Sequence, residues 1–494
     1  MRLRILALGL AILIAQGSGH SVFAQDSTGE GTALTSGKVL PHISCSAHPE
    51  QSYALYLPSN YSAERQWPLV ISSDPGARGT VPLELQREAA EKFGYVLASS
   101  NNSRNGPWKP RLEATDAMLQ DVQKRVSVDT GRLYFAGFSG GARASSQFAA
   151  MCNCAAGVML SGAGFSRDVT AAASSAFPVY SAAGLVDFNY GEVVELQDGL
   201  TKAGYPHWFR SFEGSHEWAP AAVMEEALAW FRIQAMKAQR EARDQGFIDA
   251  QFTKARDRAV GFEQASDLLS AWREYAQIAA TYDGLADVSA IRAKAEELGK
   301  SKAVRDAVKR EGNQFADQAR LTADITAAIV GPGAEVVGVP ALGAGMAGGP
   351  RTTGEPGVRE NSHGVSEEIA HLRQLANEEK RPERARVYKR AVGEVFITAM
   401  ESGSGFLEAK SYARAVAAFE AATVAAPNSE WAWSQMAVAC AHVGKNKQAL
   451  NALKEVRRVT ADVPGFQEWL KTEKAFERVR LTAEFQSLIG PGQK

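Results

Sequence analysis

One serine of the sequence stands in a pattern that suits nucleophilic catalysis. In the stretch RLYFAGFSGGARASS (132–146), Gly137, Ser139 and Gly141 form a G-x-S-x-G pattern. About 0.2 such matches are expected by chance at ordinary residue frequencies, so the pattern alone establishes no function. An apolar run precedes Ser139, a helical pattern follows it, and the small flanking residues let the chain turn sharply. This context predicts a nucleophile elbow that exposes the serine hydroxyl.

A serine nucleophile requires a base within hydrogen-bond distance and a carboxylate that orients the base. His216, in FEGSHEW, follows the last β-rich run of the first half, and Asp187, in YSAAGLVDFNY, follows the run before it. Asp168 is an alternative acid, and Asp187 could instead cap the helix that begins after it. Functional groups gather at the carboxyl ends of parallel strands. The order Ser139, Asp187, His216 therefore predicts a catalytic triad.

The oxyanion of an acyl-transfer reaction needs two N–H donors that point at the developing charge. Gly140, which follows the serine, is expected to supply the first. The loop SDPGARG, after the second β-rich run, would supply the other. Pro75 has no N–H, so Gly76 or Ala77 is expected to be the second donor. Asp74 would bring unfavourable negative charge, unless its side chain is turned away or the neighbouring arginine neutralises it.

A polar loop, SSNNSRNGPW (99–108), follows the next β-rich run at the same edge of the predicted sheet. Its side chains suit two roles equally well: they could bind polar groups of a substrate, or order a long loop through asparagine turns. The candidate substrate-binding residues are Asn101, Asn102, Arg104 and Trp108.

The elements that must position these groups lie between residues 42 and 232, where short β-rich runs alternate with amphipathic stretches. The runs are 52–58, 68–74, 95–100, 133–139, 157–163, 177–184 and 207–214. Most of the later runs are continuously apolar, as strands buried on both faces should be. This alternation predicts an α/β fold with a doubly wound, mostly parallel sheet.

Residues 42–232 resemble a compact secreted α/β-hydrolase, similar to the dienelactone hydrolase and poly(hydroxyalkanoate) depolymerase-like esterases. The resemblance is carried by SYALYLPSNY and WPLVIS, which match the opening strands of those proteins, and by GSHEW, which matches the loop bearing their histidine. It implies a serine nucleophile, an acyl-enzyme and hydrolysis of an ester-type carbonyl. The family commonly has His-Gly after its third strand, where this sequence has SDPGARG.

The rest of the chain predicts helices. Residues 233–329 place apolar residues at spacings of three and four, residues 330–365 form a Gly/Pro-rich linker, and residues 366–395 form a helix. A 34-residue period follows at 396–463 and relates Ala415, Phe419 and Ala422 to Ala449, Leu453 and Val456. The period resembles the tetratricopeptide repeat, so two repeats are expected, with residues 464–494 as capping helices. The resemblance implies that the repeats bind a protein partner.

The first 24 residues have the three-part pattern of a secretory signal peptide. Two arginines precede an apolar run that is too short to span a bilayer, and VFA (22–24) supplies small residues for cleavage before Gln25. Residues 25–41 are small and polar and are expected to form a linker. The sequence thus predicts an exported protein, periplasmic or secreted, with no membrane span after cleavage.

Export permits disulfides, and the sequence has four cysteines. One bridge, from Cys45 to Cys152 or Cys154, fits their positions, with buried free thiols as the alternative, while Cys440 is expected in a helical core. The C-x-C pair has neither a second pair nor a nearby histidine to complete a metal site, so no metal or cofactor is expected. The formal net charge of -1 gives no electrostatic support for nucleic-acid binding.

Two classes of function fit these observations. The first is an exported serine esterase, and the second is an interaction protein in which the hydrolase fold is a scaffold for the repeats. Asp74 and the large helical portion favour the second, whereas the order of the three triad residues favours the first. A serine peptidase needs only the same triad and stays open. About 13 residues separate the runs 157–163 and 177–184, which leaves no room for a lid domain and predicts an open cleft for small or exposed esters.

Overall fold

The computed structural model describes residues 34–166, 169, 177–331 and 362–490. Its first half contains an eight-stranded sheet. The strands are β1 (Val39–Ser44), β2 (Ser52–Tyr56), β3 (Trp67–Ser73), β4 (Val96–Ser100), β5 (Val128–Phe138), β6 (Ala155–Ser161), β7 (Val179–Gly184) and β8 (His207–Phe212). They lie in the order β1-β2-β4-β3-β5-β6-β7-β8. The strands from β3 to β8 pair in parallel, and β1 and β2 pair antiparallel at one edge. The predicted α/β fold with a mostly parallel sheet is confirmed.

The strand β1 was not predicted, because residues 39–41 were assigned to the linker. Pro41 cannot donate to a ladder, and proline in a sheet is confined to edges and bulges. Both conditions hold here, since β1 is the edge strand and its register shifts between Leu40 and Ile43. The domain therefore begins before residue 42.

Helices cover both faces of the sheet. They are α1 (Thr80–Phe93), α2 (Trp108–Arg125), α3 (Gly140–Cys152), α4 (Tyr190–Ala203) and α5 (Ala221–Lys237). Successive strand residues point to opposite faces: the ring of Tyr134 stacks on Phe231 of α5, and that of its neighbour Phe135 packs on Phe148 of α3. Burial on both faces explains the continuously apolar strands.

Three further helices extend the same core. They are α6 (Gln245–Gln264), α7 (Leu268–Tyr282) and α8 (Ser289–Lys300). Their buried residues join Trp208 and Trp230 of the sheet domain in one cluster, and the indole N–H of Trp230 donates to Thr281 of α7 at 3.1 Å. The predicted boundary at residue 232 thus falls within α5, and the apolar core continues across it.

The long helix α9 (Lys302–Val330) leads from this core to a second one. Val304, near its start, belongs to the first core and Ile325, near its end, to the second. The remaining helices are α10 (Ser362–Glu378), α11 (Pro382–Glu408), α12 (Tyr412–Ala425), α13 (Glu430–Val443), α14 (Asn446–Val459), α15 (Val463–Thr472) and α16 (Ala483–Ile489). The predicted all-helical second half is confirmed. All six recurring positions of the 34-residue period are fully buried.

The cysteines differ from the expectation. Cys152 is joined to Cys154, and Cys45 is a buried free thiol. Three strands separate the edge pair β1–β2 from β6, which follows the C-x-C segment. Strands lie almost 5 Å apart, so Cys45 is beyond the reach of a disulfide to that segment. Cys440 is buried within the helices, as predicted.

Some predictions lie outside the described residues. These are the signal peptide (1–24), most of the Gly/Pro-rich linker (330–365) and the alternative acid Asp168. Among the described residues, no helix is both long and apolar enough to cross a membrane.

Candidate active site

Ser139 occupies a strained turn between β5 and α3. Its backbone has φ 54° and ψ -123°, a conformation that non-glycine residues rarely adopt. Backbone strain of this kind is concentrated at functional sites. The flanking residues must be glycines because there is no room for a side chain at either position. A Cβ at Gly137 would overlap the carbonyl group of Gly141, and a Cβ at Gly141 would overlap the carbonyl oxygen of Ser73. The G-x-S-x-G spacing therefore has a physical cause in this fold.

A chain of hydrogen bonds joins the three predicted triad residues. His216 Nδ1 lies 2.9 Å from Asp187 Oδ1, and His216 Nε2 lies 2.8 Å from Ser139 Oγ. A carboxylate can only accept, so Nδ1–H donates to Asp187 and Nε2 accepts from the serine hydroxyl. The structure thus brings all three side chains together in the arrangement that nucleophilic catalysis requires.

Asp187 is fully buried in the loop between β7 and α4. Its Oδ1 also accepts from the N–H of Asn189 at 2.8 Å. Gly162, after β6, has φ 62°, and a Cβ there would lie 2.8 Å from Asp187 Oδ2. Asn189 donates its side-chain N–H to the carbonyl oxygen of the same glycine at 2.8 Å. The loop is therefore packed tightly around the carboxylate that orients His216.

The imidazole of His216 lies between two phenyl rings. Its centroid is 4.6 Å from that of Phe138, at the end of β5, and 4.1 Å from that of Phe188, next to Asp187. Its side chain is 17% exposed, so one part of the ring stays accessible beside Ser139. The two rings restrict the imidazole to the orientation that both hydrogen bonds need.

The carboxylate of Asp74, directly after β3, is fully buried and turned into the protein. It accepts hydrogen bonds from Gly76 N, from Arg78 N, Nε and Nη2, and from Trp218 Nε1, at 2.8 to 3.2 Å. Burial acts to raise the pKa of Asp74, but the hydrogen bonds from Arg78, Trp218 and Gly76 outweigh it and hold the pKa below its ordinary value. The contact with Trp218 also ties this loop to the one bearing His216.

The predicted oxyanion donors differ in whether their N–H groups already have a partner. Gly140 opens the first turn of α3, where an N–H has no intrahelical partner, and no hydrogen bond from it is found within the described chain. By contrast, Gly76 N donates to Asp74 Oδ1 at 2.8 Å, and Ala77 N donates to the Asp74 carbonyl oxygen at 3.0 Å. The expectation that Gly76 or Ala77 supplies the second donor is therefore not met in this structure, because Asp74 engages both N–H groups.

The predicted substrate-binding residues mostly order their own loop. Asn101 donates to the carbonyl oxygen of Pro41, and the side chain of Asn102 accepts from Ser52 N at 2.8 Å. The ring of Trp108 packs on Phe148, with centroids 5.0 Å apart. Arg104 is exposed and forms a single β-bridge with Gly76. The asparagines therefore fit the second of their two predicted roles, the ordering of a long loop.

Several residues at the site were not predicted. Arg143, one helical turn after Ser139, pairs with Glu192 of α4, with Nη2 2.9 Å from Oε2. Its i+4 position was the only sequence signal. Glu401 of α11 is half-buried within electrostatic range of Arg143 and His216, and burial raises its pKa to about 7 against their opposing influence. The helical half thus borders the site. The residues that meet there are too distant in sequence for any local pattern to indicate their proximity.

No protein-family model matches the sequence, and no curated protein sequence is significantly similar to it. Three of the similar solved structures are a ferulic acid esterase (14% identity, 40% of this chain and 98% of that chain, TM-score 0.34), an S-formylglutathione hydrolase from Staphylococcus aureus (14%, 41% and 99%, 0.31) and an esterase from the archaeon Pyrobaculum calidifontis (15%, 41% and 85%, 0.32). At such low identity and TM-score, these similarities carry no argument about the activity of this chain.

Proposed function

We propose that this chain is a serine hydrolase that cleaves carboxylic esters through the triad Ser139, His216 and Asp187. One observation carries the proposal: the continuous hydrogen-bond chain from the buried Asp187 through His216 to a serine held in a strained turn. Strain of this kind costs on the order of 1–3 kcal/mol, and it persists where the surrounding structure enforces it. A protein that served only as a scaffold would gain nothing from this strain.

In the proposed reaction, Ser139 Oγ attacks the ester carbonyl carbon while His216 Nε2 takes the hydroxyl proton. Asp187 stabilises the imidazolium through Nδ1–H. When the tetrahedral intermediate collapses, the C–O bond to the leaving group breaks and the alkoxide takes the proton from His216. A water molecule then attacks the acyl-enzyme with the same proton transfers, which releases the acid and restores Ser139.

The environment of the site favours esters of modest size or the exposed ends of larger molecules. Ser139 is half-buried, and no additional domain is inserted between the described strands of the sheet. The site is nevertheless less open than the sequence predicts, because α11 lies beside it. A peptidase would use the same triad, so the choice between ester and amide bonds needs a direct measurement.

A second candidate is an interaction protein with little or no hydrolytic activity. It is favoured by the engagement of both Gly76 and Ala77 N–H groups by Asp74, since a missing oxyanion donor costs catalytic rate. Under either candidate, we propose that the helix pairs α11–α12 and α13–α14 form tetratricopeptide-like repeats that bind a protein partner. We also propose export through the signal peptide, so that the mature chain begins at Gln25.

Turnover of p-nitrophenyl esters separates the two candidates. The esterase proposal predicts hydrolysis of a series of rising acyl length, with loss of turnover in Ser139→Ala, and a low rate on matched p-nitroanilides. Equal rates for the wild type and Ser139→Ala would favour the interaction protein. The mass of the protein recovered from an exporting host tests the cleavage before Gln25.

A further inference from the structure

The site as described has only one of the two oxyanion donors that acyl transfer uses. Gly140 N is suited to the first position, because it follows the nucleophile and begins α3. Pro75 has no N–H, and the N–H groups of Gly76 and Ala77 donate to Asp74. Arg78 N also donates to the Asp74 carboxylate, at 3.2 Å. The loop after β3 therefore offers no free backbone donor between Pro75 and Arg78.

A side-chain amide occupies the space beside Gly140. If Gly140 carried a Cβ, that atom would overlap the Asn105 side chain: it would lie closest to the amide oxygen Oδ1, 2.7 Å from Cγ and 2.8 Å from Nδ2. The absence of a side chain at residue 140 is therefore what lets the amide approach. Arg111 donates from its guanidinium to the carbonyl oxygen of Gly140, which fixes the other side of this residue.

The backbone of Asn105 is held against the loop after β3. Its N–H donates to the carbonyl oxygen of Pro75 at 2.8 Å, and the preceding residue, Arg104, forms a β-bridge with Gly76. The side chain itself is exposed, and no hydrogen bond to its amide is found within the described chain. The amide is therefore placed by its backbone and free to donate to a ligand.

We propose that the side-chain amide of Asn105 is the second oxyanion donor, acting together with Gly140 N. This inference rests on the proposed esterase function. In the tetrahedral intermediate, the amide would turn about its Cβ–Cγ bond so that Nδ2–H donates to the oxygen that becomes negative, together with the Gly140 N–H. A neutral amide suits this place, because it stabilises the charge without a proton transfer.

The proposal is tested with two variants of Asn105 and a p-nitrophenyl ester. Asn105→Leu keeps the approximate shape and removes the donor, and Asn105→Asp replaces the donor with a negative charge. Loss of one oxyanion donor lowers kcat by about 10²–10³-fold, so we expect that loss in the first variant and at least as large a loss in the second, with KM changed by less than about threefold. Lys109→Ala, an exposed change on α2, is the control and should keep wild-type kcat.

A trifluoromethyl ketone, which forms a tetrahedral adduct with the serine, supplies a second readout. Its affinity should fall in parallel with kcat/KM across the variants, because both depend on the oxyanion donors. A purely structural role of Asn105 would instead lower the melting temperature and raise KM. A wild-type protein that is active while Asn105→Leu keeps more than a third of kcat would overturn the inference and leave the proposed function intact. No Ser139-dependent turnover in the wild type would overturn both.

Discussion

The side-chain amide of Gln318, in α9, donates a 2.9 Å hydrogen bond to the backbone carbonyl oxygen of Phe188, the residue after Asp187. Its amide also donates to Glu394 Oε2 of α11 at 2.9 Å, and Thr322 donates to the other oxygen of Glu394 at 2.9 Å. All three polar side chains are buried. Since the ring of Phe188 lies on His216, this network connects the helical half directly to the loop that carries the proposed acid.

Gln318→Leu should lower catalytic efficiency without contacting the substrate. Leucine has about the same volume but removes the donor to the carbonyl oxygen of Phe188 and to Glu394 Oε2, so the loop loses an anchor. Small displacements of a catalytic group can cost up to about 10²-fold in rate, and we expect a fall in kcat of at least about fivefold in steady-state assays. Gln374→Leu, an exposed change on α10, is the control. An unchanged kcat in a folded Gln318→Leu protein would contradict this role of the network.

Gly141→Ala should destabilise the protein. The added methyl group would overlap the carbonyl oxygen of Ser73 in a neighbouring strand, and its Cβ would lie 2.8 Å from that carbonyl carbon. Overpacking of this kind typically costs about 1–3 kcal/mol, measurable by urea unfolding. The matched control is Gly199→Ala in α4, where no atom lies within 4 Å of the added Cβ. That change should stabilise by about 0.5–1 kcal/mol. Equal effects of the two substitutions would argue against the tight packing of the elbow.

Glu401→Gln should stabilise the protein in a pH-dependent way. Burial raises the pKa of Glu401 from 4.5 to about 7 in the folded state. The unfolded chain therefore releases this proton at lower pH than the folded one, and the contribution of Glu401 to stability falls as pH rises between these two values. The variant does not lose this stability, so its free energy of unfolding should exceed that of the wild type by about 1–3 kcal/mol at pH 8.

The measurement is the difference in unfolding free energy between Glu401→Gln and the wild type at pH 5 and pH 8. Taking the difference cancels the other titrating groups, which are common to both proteins. The difference should favour the variant more strongly at pH 8. A difference that does not change with pH would show that the Glu401 carboxyl is not held in a desolvated position beside the site.

Asp74→Asn should destabilise the protein at neutral pH. An amide cannot accept from all of the donors that the carboxylate satisfies, and it leaves the guanidinium of Arg78 without its ion pair. Leaving such groups unsatisfied costs about 1–3 kcal/mol. Since the folded pKa of Asp74 lies below its ordinary value of 3.8, its contribution is present above that value and is lost as pH falls through the folded pKa.

Urea unfolding at pH 7 and at acid pH checks this sign. The difference in unfolding free energy between the wild type and Asp74→Asn should be largest at pH 7 and should decrease as the pH falls below 3.8. Asp116→Asn, an exposed change on α2, should show no comparable gap. A gap that widens in acid would contradict the proposed network around Asp74.

The parts of the site that follow from strand order could be predicted from the sequence. Ser139, Asp187 and His216 each come just after a run that forms a strand of one parallel sheet, namely β5, β7 and β8. Because the carboxyl ends of parallel strands share one edge, placing each residue after a strand is enough to bring them near each other. Their order in the chain then suffices to suggest the roles.

The parts that depend on distant side chains could not be predicted. The N–H of Gly76 turns to Asp74, whose carboxylate is held by Trp218, 144 residues later in the sequence. Gln318 reaches Phe188 across 130 residues. Both contacts arise from packing between elements, which leaves no trace in the periodicity or composition of either segment. The same reason explains why the helical core joined to the sheet domain was missed.

The most direct test of the proposed catalytic triad is covalent labelling of the purified full chain with a fluorophosphonate, followed by mass spectrometry of its peptides. We expect one adduct, on Ser139 in the peptide that contains GFSGGAR, with labelling abolished in Ser139→Ala and slowed at least about 10²-fold in His216→Gln, which removes the base. Absence of an adduct on Ser139 in the folded wild-type protein, or labelling that is unchanged in His216→Gln, would contradict it.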